Sequence, residues 1–344
     1  MNDMNLQTKI RFKYIPEHFS IIQLKDGYFA LYSKEFLILF DNNLFSKIVG
    51  FYDDNSHLCK DLKSVKQLKN GQILCCNQYL FLINNDINSY EVKKIEISKK
   101  EKNEKLFDVV ELDNGTIIGI TIESLYNIKI KDEYIVLTQI HKIPEDWLVS
   151  WEEKYCYNGE LNIFDLKNNK ILLHSHSYRC IRRCLFGSAT IKKESKIFIV
   201  DLNNFEVVYT ENFPNIANIV VLKDYICVYH SKTIFIYSIN DYKILQKFES
   251  NLKSINIYND NFLIVSNKVE GIILYNLTDL NNIEYQRFIS KFVDIYDISL
   301  CKLDDKRIII VSWDNLYIAE LPDKFNFKPI SFTKKRNTET NDEK

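Results

Sequence analysis

Three arginines within five positions, Arg179, Arg182 and Arg183, are the residues whose type and spacing best suit recognition of a charged partner. The chain has seven arginines in all, so almost half of them fall in this short run. A guanidinium can make two parallel hydrogen bonds to one carboxylate or phosphate group, whereas a lysine ammonium acts as a point charge. The run therefore indicates a site for an acidic protein partner or for phosphate groups, and a salt-bridged strand is the structural alternative.

Two tryptophans, Trp147 and Trp151, form a second candidate site beside Pro144-Glu145-Asp146. If this run is extended, positions four apart fall on the same side of the strand. At a rim the two indoles would anchor a partner peptide, because tryptophan is one of the residues that dominate binding energy at interfaces. Packing in the core is the alternative, and it is the commoner fate of tryptophan.

The remaining residues that could do chemistry do not combine into a site. His174 and His176 could place both imidazoles on one side of a strand end, as half of a metal site. No further ligand follows at metal-binding spacing, so we expect them in an exposed loop. The eight cysteines form no CxxC pair, which favours reduced structural thiols, and motifs for nucleophilic catalysis or phosphate binding are missing. We therefore expect no catalytic residues, no metal and no cofactor.

A five-residue segment that returns eight times determines the elements that must position these residues. It starts with Leu or Ile, continues with mostly apolar residues and usually ends in an acidic or small polar one. The copies are residues 37–41, 80–84, 125–129, 161–165, 197–201, 234–238, 272–276 and 316–320. Their starts lie 36 to 45 residues apart, a period typical of repeated supersecondary units.

The same turns and short strands surround most copies of the segment. Asp26-Gly27, Asn70-Gly71 and Asn114-Gly115 precede the first three copies, and such pairs favour tight hairpins because glycine readily adopts positive φ. One strand separates this turn from the segment, and another strand follows the segment. Four antiparallel strands in about 40 residues describe one blade of a β-propeller. The predicted fold is all-β, a single β-propeller of four-stranded antiparallel blades.

The number of blades and the closure of the ring depend on the least regular units. Eight repeats are counted, and seven blades are the alternative because the fourth unit, residues 143–174, is irregular. The last unit lacks a fourth strand, and the strand-like run 9–15 is expected to replace it and close the ring. The predicted domains are a disordered N-terminus (1–7), the propeller (8–321) and a disordered charged tail (322–344).

The repeat resembles the WD40-type propeller family across roughly residues 8–321. In that family the third strand of a blade ends in an aromatic or apolar residue followed by Asp. The corresponding pairs here are Phe40-Asp41, Phe164-Asp165, Val200-Asp201, Tyr237-Ser238 and Tyr275-Asn276. No repeat carries the Gly-His pair of the family, and Trp313-Asp314 precedes its third strand. The resemblance is therefore to a divergent member that lacks the family's Asp–His–Ser/Thr–Trp network.

The resemblance implies a non-catalytic WD40-like scaffold for protein–protein interaction, with a protein or peptide partner on its loop face. The run Ile181-Arg182-Arg183-Cys184 is also similar to the Phe-Arg-Arg-Gly motif of phosphoinositide-binding propellers, although its Phe and Gly are missing. Binding of phosphoinositides or anionic membranes through residues 179–183 is therefore the alternative function. An enzyme with a site in the central channel is the third and least favoured function.

Charge and hydropathy limit the partners and the location. The formal net charge of −1, from 45 basic and 46 acidic residues, disfavours nucleic acid as the main partner. No apolar run reaches the roughly 18–20 residues that span a bilayer, and the N-terminus lacks the apolar core of a signal peptide. We therefore expect a cytoplasmic protein, with the nucleus as an alternative because of Lys334-Lys335-Arg336.

Overall fold

The structure, a computed structural model, describes most of the chain. The described residues are 5–11, 20–24, 28–33, 37–41, 46–49, 62–76, 80–83, 92–97, 106–131, 134–144, 147, 160–182, 189–215, 217–267, 271–288, 298–312 and 315–330. In this part of the chain the fold is all-β, as predicted. None of the described residues belongs to a helix long and apolar enough to cross a membrane.

The strands form seven antiparallel blades. The first strand of the chain, β1 (Asn5–Arg11), belongs to the last blade; the next blades are blade 1, with β2 (Ser20–Gln23), β3 (Phe29–Tyr32), β4 (Leu37–Phe40) and β5 (Ser46–Val49), blade 2, with β6 (Ser64–Gln67), β7 (Ile73–Cys76), β8 (Leu80–Ile83) and β9 (Val92–Ile97), and blade 3, with β10 (Asp108–Glu111), β11 (Ile117–Ile120), β12 (Ser124–Ile130) and β13 (Tyr134–Lys142). Blade 4 contains β14 (Glu160–Asp165), β15 (Lys170–Arg182), β16 (Ala189–Asp201) and β17 (Glu206–Phe213), and blade 5 contains β18 (Asn218–Val221), β19 (Tyr225–His230), β20 (Thr233–Ser238) and β21 (Ile244–Glu249). Blade 6 contains β22 (Leu252–Asn259), β23 (Phe262–Asn267), β24 (Gly271–Asn276) and β25 (Glu284–Phe288), to which β29 (Lys328–Pro329) is added, and blade 7 contains β26 (Ile298–Lys302), β27 (Arg307–Ser312) and β28 (Asn315–Glu320).

The eight repeats counted in the sequence correspond to seven blades. The fourth copy of the segment, residues 161–165, lies in β14, which is the first strand of blade 4 and not the third strand of a separate unit. The strand that follows this copy, which the repeat pattern makes the fourth of its unit, is β15, the second strand of the same blade. Units four and five therefore merge, and the sevenfold alternative is confirmed.

The N-terminal strand closes the ring, as predicted. β1 pairs antiparallel with β28 from Asn5↔Glu320 to Arg11↔Asn315 and completes blade 7 as its outermost strand. The strand begins at Asn5, four residues earlier than the predicted run 9–15, of which residues 12–15 lie outside the described part. Because this pairing joins the two ends of the propeller, it replaces the fourth strand that blade 7 lacks.

The C-terminal boundary also differs from the expected one. Residues 322–330, predicted to belong to a disordered tail, lie against blade 6, where β29 pairs with β25 as a fifth strand. Phe325 and Phe327 pack against the apolar cluster between blades 6 and 7, so this part of the tail buries apolar surface. Residues 331–344 lie outside the described residues.

The core of the molecule lies between neighbouring blades. Seven apolar clusters occupy the seven interfaces, one between each pair of adjacent blades around the ring. Between blades 7 and 1, for example, Phe29 and Phe40 stack with ring centroids 4.6 Å apart beside the fully buried Val311 and Leu316. Since each blade exposes two apolar faces that it cannot bury alone, the closed ring is the unit that folds.

The first turns of blades 2 and 3 have the predicted hairpin geometry. Gly71 and Gly115 adopt φ of 92° and 83°, a region that favours glycine. The amide of Gly71 donates to the carbonyl of Leu68 at 2.9 Å, and that of Gly115 donates to the carbonyl of Leu112 at 2.9 Å. The two Asn-Gly pairs therefore set the same tight turn at the same edge of adjacent blades.

Candidate interaction surfaces

A two-stranded arm on blade 4 carries the arginine run. β14 pairs with β15 only as far as His176, and β17 pairs with β16 only from Ser195 onward. Beyond that level, within the described part of the chain, β15 and β16 pair only with each other, over six residue pairs from Ser177↔Glu194 to Arg182↔Ala189. These residues, 177–182 and 189–194, are here called the arm. Six pairs in an antiparallel ladder extend about 20 Å, so the arm projects well beyond the sheet from which it starts.

The register fixes where the arginines lie in the arm. Arg179 is opposite Lys192, and Arg182 is opposite Ala189 at the last pair of the ladder. Because strand positions alternate between faces, positions 179 and 182 belong to opposite faces of the arm. Arg183 follows directly in the connection between β15 and β16, which lies outside the described residues. The structure thus places two of the three arginines, Arg179 and Arg182, in the projecting arm.

The two predicted tryptophans do not form a described pair. Trp147 is buried, with 7 % of its surface exposed, and its ring stacks on Phe198 of blade 4 with centroids 5.7 Å apart. It belongs to the cluster between blades 3 and 4, which corresponds to the core alternative. Trp151 lies outside the described residues.

The histidine pair lies in the core of blade 4 and not in the exposed loop expected from the sequence. His174 and His176 are 3 % and 6 % exposed, and their ring centroids are 5.2 Å apart. Burial, with a smaller contribution from His176, lowers the pKa of His174 to about 3. His174 Nε2 has no hydrogen-bond partner, so a neutral ring is the state that this environment tolerates. The apolar run Ile171-Leu172-Leu173 before the pair was the sequence signal for a buried strand.

The described part of the chain contains no group of side chains suited to metal ligation or to thiol chemistry. There, no three His, Cys, Asp or Glu side chains lie close enough to hold a metal ion. Four cysteines of the described residues, Cys75, Cys76, Cys227 and Cys301, are free and buried. Burial raises the pKa of each of these thiols, which suits apolar packing and opposes thiolate chemistry.

Asp108 is a buried carboxylate that the sequence analysis did not identify. It is 2 % exposed at the start of β10, and its Oδ1 accepts hydrogen bonds from the Ser64 hydroxyl of blade 2 and from the Val109 amide. Its Oδ2 accepts the amide of Ile163 in blade 4 at 3.0 Å, and Lys66 Nζ lies 3.5 Å from Oδ1. One side chain thus joins the inner strands of three blades, and its partners make it a structural element.

The inner strands of blades 1, 6 and 7 line a cavity of about 740 Å³. Gln23, Asn256 and Lys302 contribute polar groups to its wall, and Asp260 is the one acidic side chain among the described lining residues. Asn256 already donates from Nδ2 to the carbonyl of Leu300 at 2.5 Å, and Lys302 Nζ lies 2.6 Å from Asp305 Oδ1. The described wall can hydrogen-bond a polar ligand but does not present the paired carboxylates of an acid–base site.

Comparison with known proteins identifies the fold. No protein-family model and no curated protein sequence matches the chain. The Neurospora crassa Pan2 WD40 domain superposes with a TM-score of 0.61 at 12 % identity, covering 94 % of this chain and 97 % of that one. A chain of the mitotic checkpoint complex gives 0.61 at 8 % identity and covers 94 % of both chains. Virginiamycin B lyase from Staphylococcus aureus gives 0.55 at 11 % identity, covering 93 % of this chain and all of the lyase.

These similarities establish the fold, a β-propeller, and the strand pairing divides it into seven blades. At 8 to 12 % identity they concern the fold alone. The same architecture occurs in a WD40 domain and in a lyase, so the class of function has to be argued from the surfaces of this chain.

Proposed function

We propose that this protein is a non-catalytic interaction scaffold that binds an acidic protein partner through the arm of blade 4. The observation that carries the proposal is the extension of β15 and β16 beyond both flanking strands. Among the described residues the arm pairs only with itself. Such a hairpin adds little stability, so a contact outside the ring is the better explanation of its length. The seven interfaces between blades supply the rigid support that such a contact needs.

The composition of the arm supports an acidic partner. Between positions 177 and 194 the sequence has five basic residues and one acidic residue, in a chain whose net charge is −1. Arg179, Arg182 and Arg183 provide the bidentate donors, and Lys192 and Lys193 add to the positive potential that steers an acidic surface toward the arm. Since Trp147 is buried, the arginines are the residues on which we base the proposal.

The test compares two variants with equal loss of charge. The arm variant is Arg179→Ala/Arg182→Ala/Arg183→Ala. The control is Lys223→Ala/Lys243→Ala/Lys247→Ala, which removes three exposed lysines of blade 5. A partner recovered with the wild-type protein from the source cell is purified, and its Kd is measured against each variant. We expect at least a tenfold weaker Kd for the arm variant, about 1.4 kcal/mol, and less than a twofold change for the control. Equal binding by the arm variant contradicts the proposal.

Membrane binding is the alternative outcome of the same comparison. Vesicles of neutral lipid, with and without an anionic phospholipid, are mixed with the three proteins and floated. Flotation that requires both the anionic lipid and the arm arginines would show that the arm binds a lipid surface and would contradict the proposal of a protein partner. The proposal expects no difference between wild type and arm variant in this assay.

A further inference from the structure

Residues 323–330, here called the strap, return from blade 7 to blade 6 and lie in a groove lined by aromatic rings. The Phe325 ring centroid is 6.5 Å from those of Tyr258 and Phe262 and 6.4 Å from that of Phe288. The Phe327 centroid is 5.6 Å from that of Phe262. The groove thus accepts two aromatic side chains spaced two positions apart, with one intervening polar residue.

Backbone contacts fix the direction and register of the strap. β29 pairs antiparallel with the outer strand of blade 6 through Glu284↔Pro329 and Tyr285↔Lys328. The Ile330 amide donates to the carbonyl of Ile283 at 2.9 Å, and the Asn326 amide donates to Gln286 Oε1 at 2.6 Å. Main-chain pairing along an outer strand combined with side-chain pockets is the recognition mode called β-augmentation.

The strap is held weakly by comparison with the strand that closes the ring. It forms a ladder of two residue pairs, whereas β1 pairs along its whole length with β28. Phe325 and Phe327 are half-buried, and the ion pair of Lys306 with Asp323, at 2.7 Å, is exposed to solvent. Since β1 already closes the ring, local release of the strap leaves the seven blades intact.

A second cavity lies at the C-terminal end of the strap. It has a volume of about 500 Å³ between blades 5 and 6 and is lined by Pro329 and Ile330 together with Tyr275, Tyr285 and Ser250. An occupant of the groove can therefore extend beyond the position of Ile330, or carry a larger side chain there, without displacing a blade.

We propose that the groove along β25 is a docking surface for an extended peptide with an aromatic–polar–aromatic pattern, which the strap occupies until a partner's segment replaces it. The residues 325–327, Phe-Asn-Phe, define the chemistry of the occupant, because they are the segment that the groove holds in this structure. The groove lies on blade 6 and the arm on blade 4, so this inference does not depend on the proposed function.

Competition between an attached and a free segment has a measurable consequence. A segment linked to its own site has a high effective concentration, and a free peptide binds only to the fraction of molecules whose strap is released. Removal of the strap should therefore increase the apparent affinity for the same sequence added as a free peptide.

The experiment uses a fluorescently labelled peptide of residues 322–330 and two forms of the protein. We expect saturable binding to a chain that ends at Leu321, at least tenfold weaker binding to the full chain, and at least tenfold weaker binding of a peptide with Phe325→Ala/Phe327→Ala to the shortened chain. A shortened chain that melts cooperatively but does not bind the peptide overturns the proposal, as does equal binding to both forms.

A second variant protects the test against misfolding of the shortened chain. The full chain with Phe325→Ala/Phe327→Ala keeps the strap backbone and loses only the two rings. It should bind the wild-type peptide at least tenfold more tightly than the unmodified chain does. Unchanged binding by a folded double variant would show that the rings do not hold the strap in the groove and would also overturn the proposal.

Discussion

Blades 3 and 4 are neighbours with the same order of strands, yet they differ in the turn between their second and third strands. In blade 3 this connection is three residues long and is closed by Thr121, whose Oγ1 accepts the amides of Glu123 and Ser124 at 3.2 and 3.0 Å. In blade 4 the same two strands continue for six further residue pairs as the arm. A short closed turn is therefore sufficient for a blade of the ring, and the ring does not require the arm.

Deletion of a ring-forming strand should have the largest effect. A chain without residues 1–11 loses β1 and leaves β28 as an outer edge in place of the ladder from Asn5 to Arg11. We expect its melting temperature to fall by more than about 10 °C. Loss of the strand should cost several kcal/mol in the free energy of unfolding, and each kcal/mol lowers the melting temperature of a domain of this size by a few degrees. Deletion of residues 1–4, which precede the strand, is the control and should leave the melting temperature unchanged. Equal melting temperatures of the two deletion variants would show that β1 is not part of the ring.

Loss of the buried carboxylate between blades 2, 3 and 4 should have the second largest effect on stability. Asp108→Ala leaves the Ser64 hydroxyl and the Ile163 amide without their acceptor, at a cost of about 3 kcal/mol in the free energy of unfolding. Urea denaturation measures the change. Asp224→Ala, which removes an exposed carboxylate, should cost less than about 0.5 kcal/mol. Equal effects of the two substitutions would exclude a role for Asp108 in joining the blades.

Acidification should destabilise blade 4 through the buried His174. In the fold the pKa of His174 is lowered to about 3 from an ordinary value of 6.5, so between these values the unfolded chain binds a proton that the folded chain does not. His174 therefore does not lower the free energy of unfolding above about pH 6.5, and it lowers this free energy progressively as the pH falls below that value. Between pH 7 and pH 5 we expect a loss of about 2 kcal/mol.

The contribution of His174 is isolated by comparison with a variant that cannot be protonated. The free energy of unfolding of wild type and of His174→Gln is measured at pH 7 and at pH 5 by urea denaturation. The wild type should lose about 2 kcal/mol more than the variant. Identical losses would show that another group is responsible for the pH dependence.

The elements predicted correctly from the sequence are those that local chemistry determines. The Asn70-Gly71 and Asn114-Gly115 turns form as expected because glycine is needed where φ is positive. Strands buried on both faces leave apolar runs that can be recognised in a single repeat, as at residues 80–83 and 272–275. Closure by the N-terminal strand follows from the missing fourth strand of the last unit.

The errors arise where the order of strands or tertiary contact decides. Residues 161–165 have the pattern of a third strand because an apolar run reports burial, and Leu161 and Ile163 of the inner strand β14 are buried as well. The roles of Asp108 and of the strap depend on partners more than 30 positions away in the sequence, which no local pattern contains. The arginine run was found from composition, whereas the place of Arg179 and Arg182 in the arm depends on the ladder between β15 and β16.

The most direct test of the account removes the arm and keeps the ring. Residues 177–194 are replaced by Asn-Gly, so that His176 and Ser195, which already pair with each other, are joined by a two-residue hairpin turn as in a regular blade. The binding of the purified partner is then compared with that of the wild type, together with the melting temperature. We expect a melting temperature within about 2 °C of the wild type and loss of partner binding. Full binding by the arm-deleted protein would contradict the account.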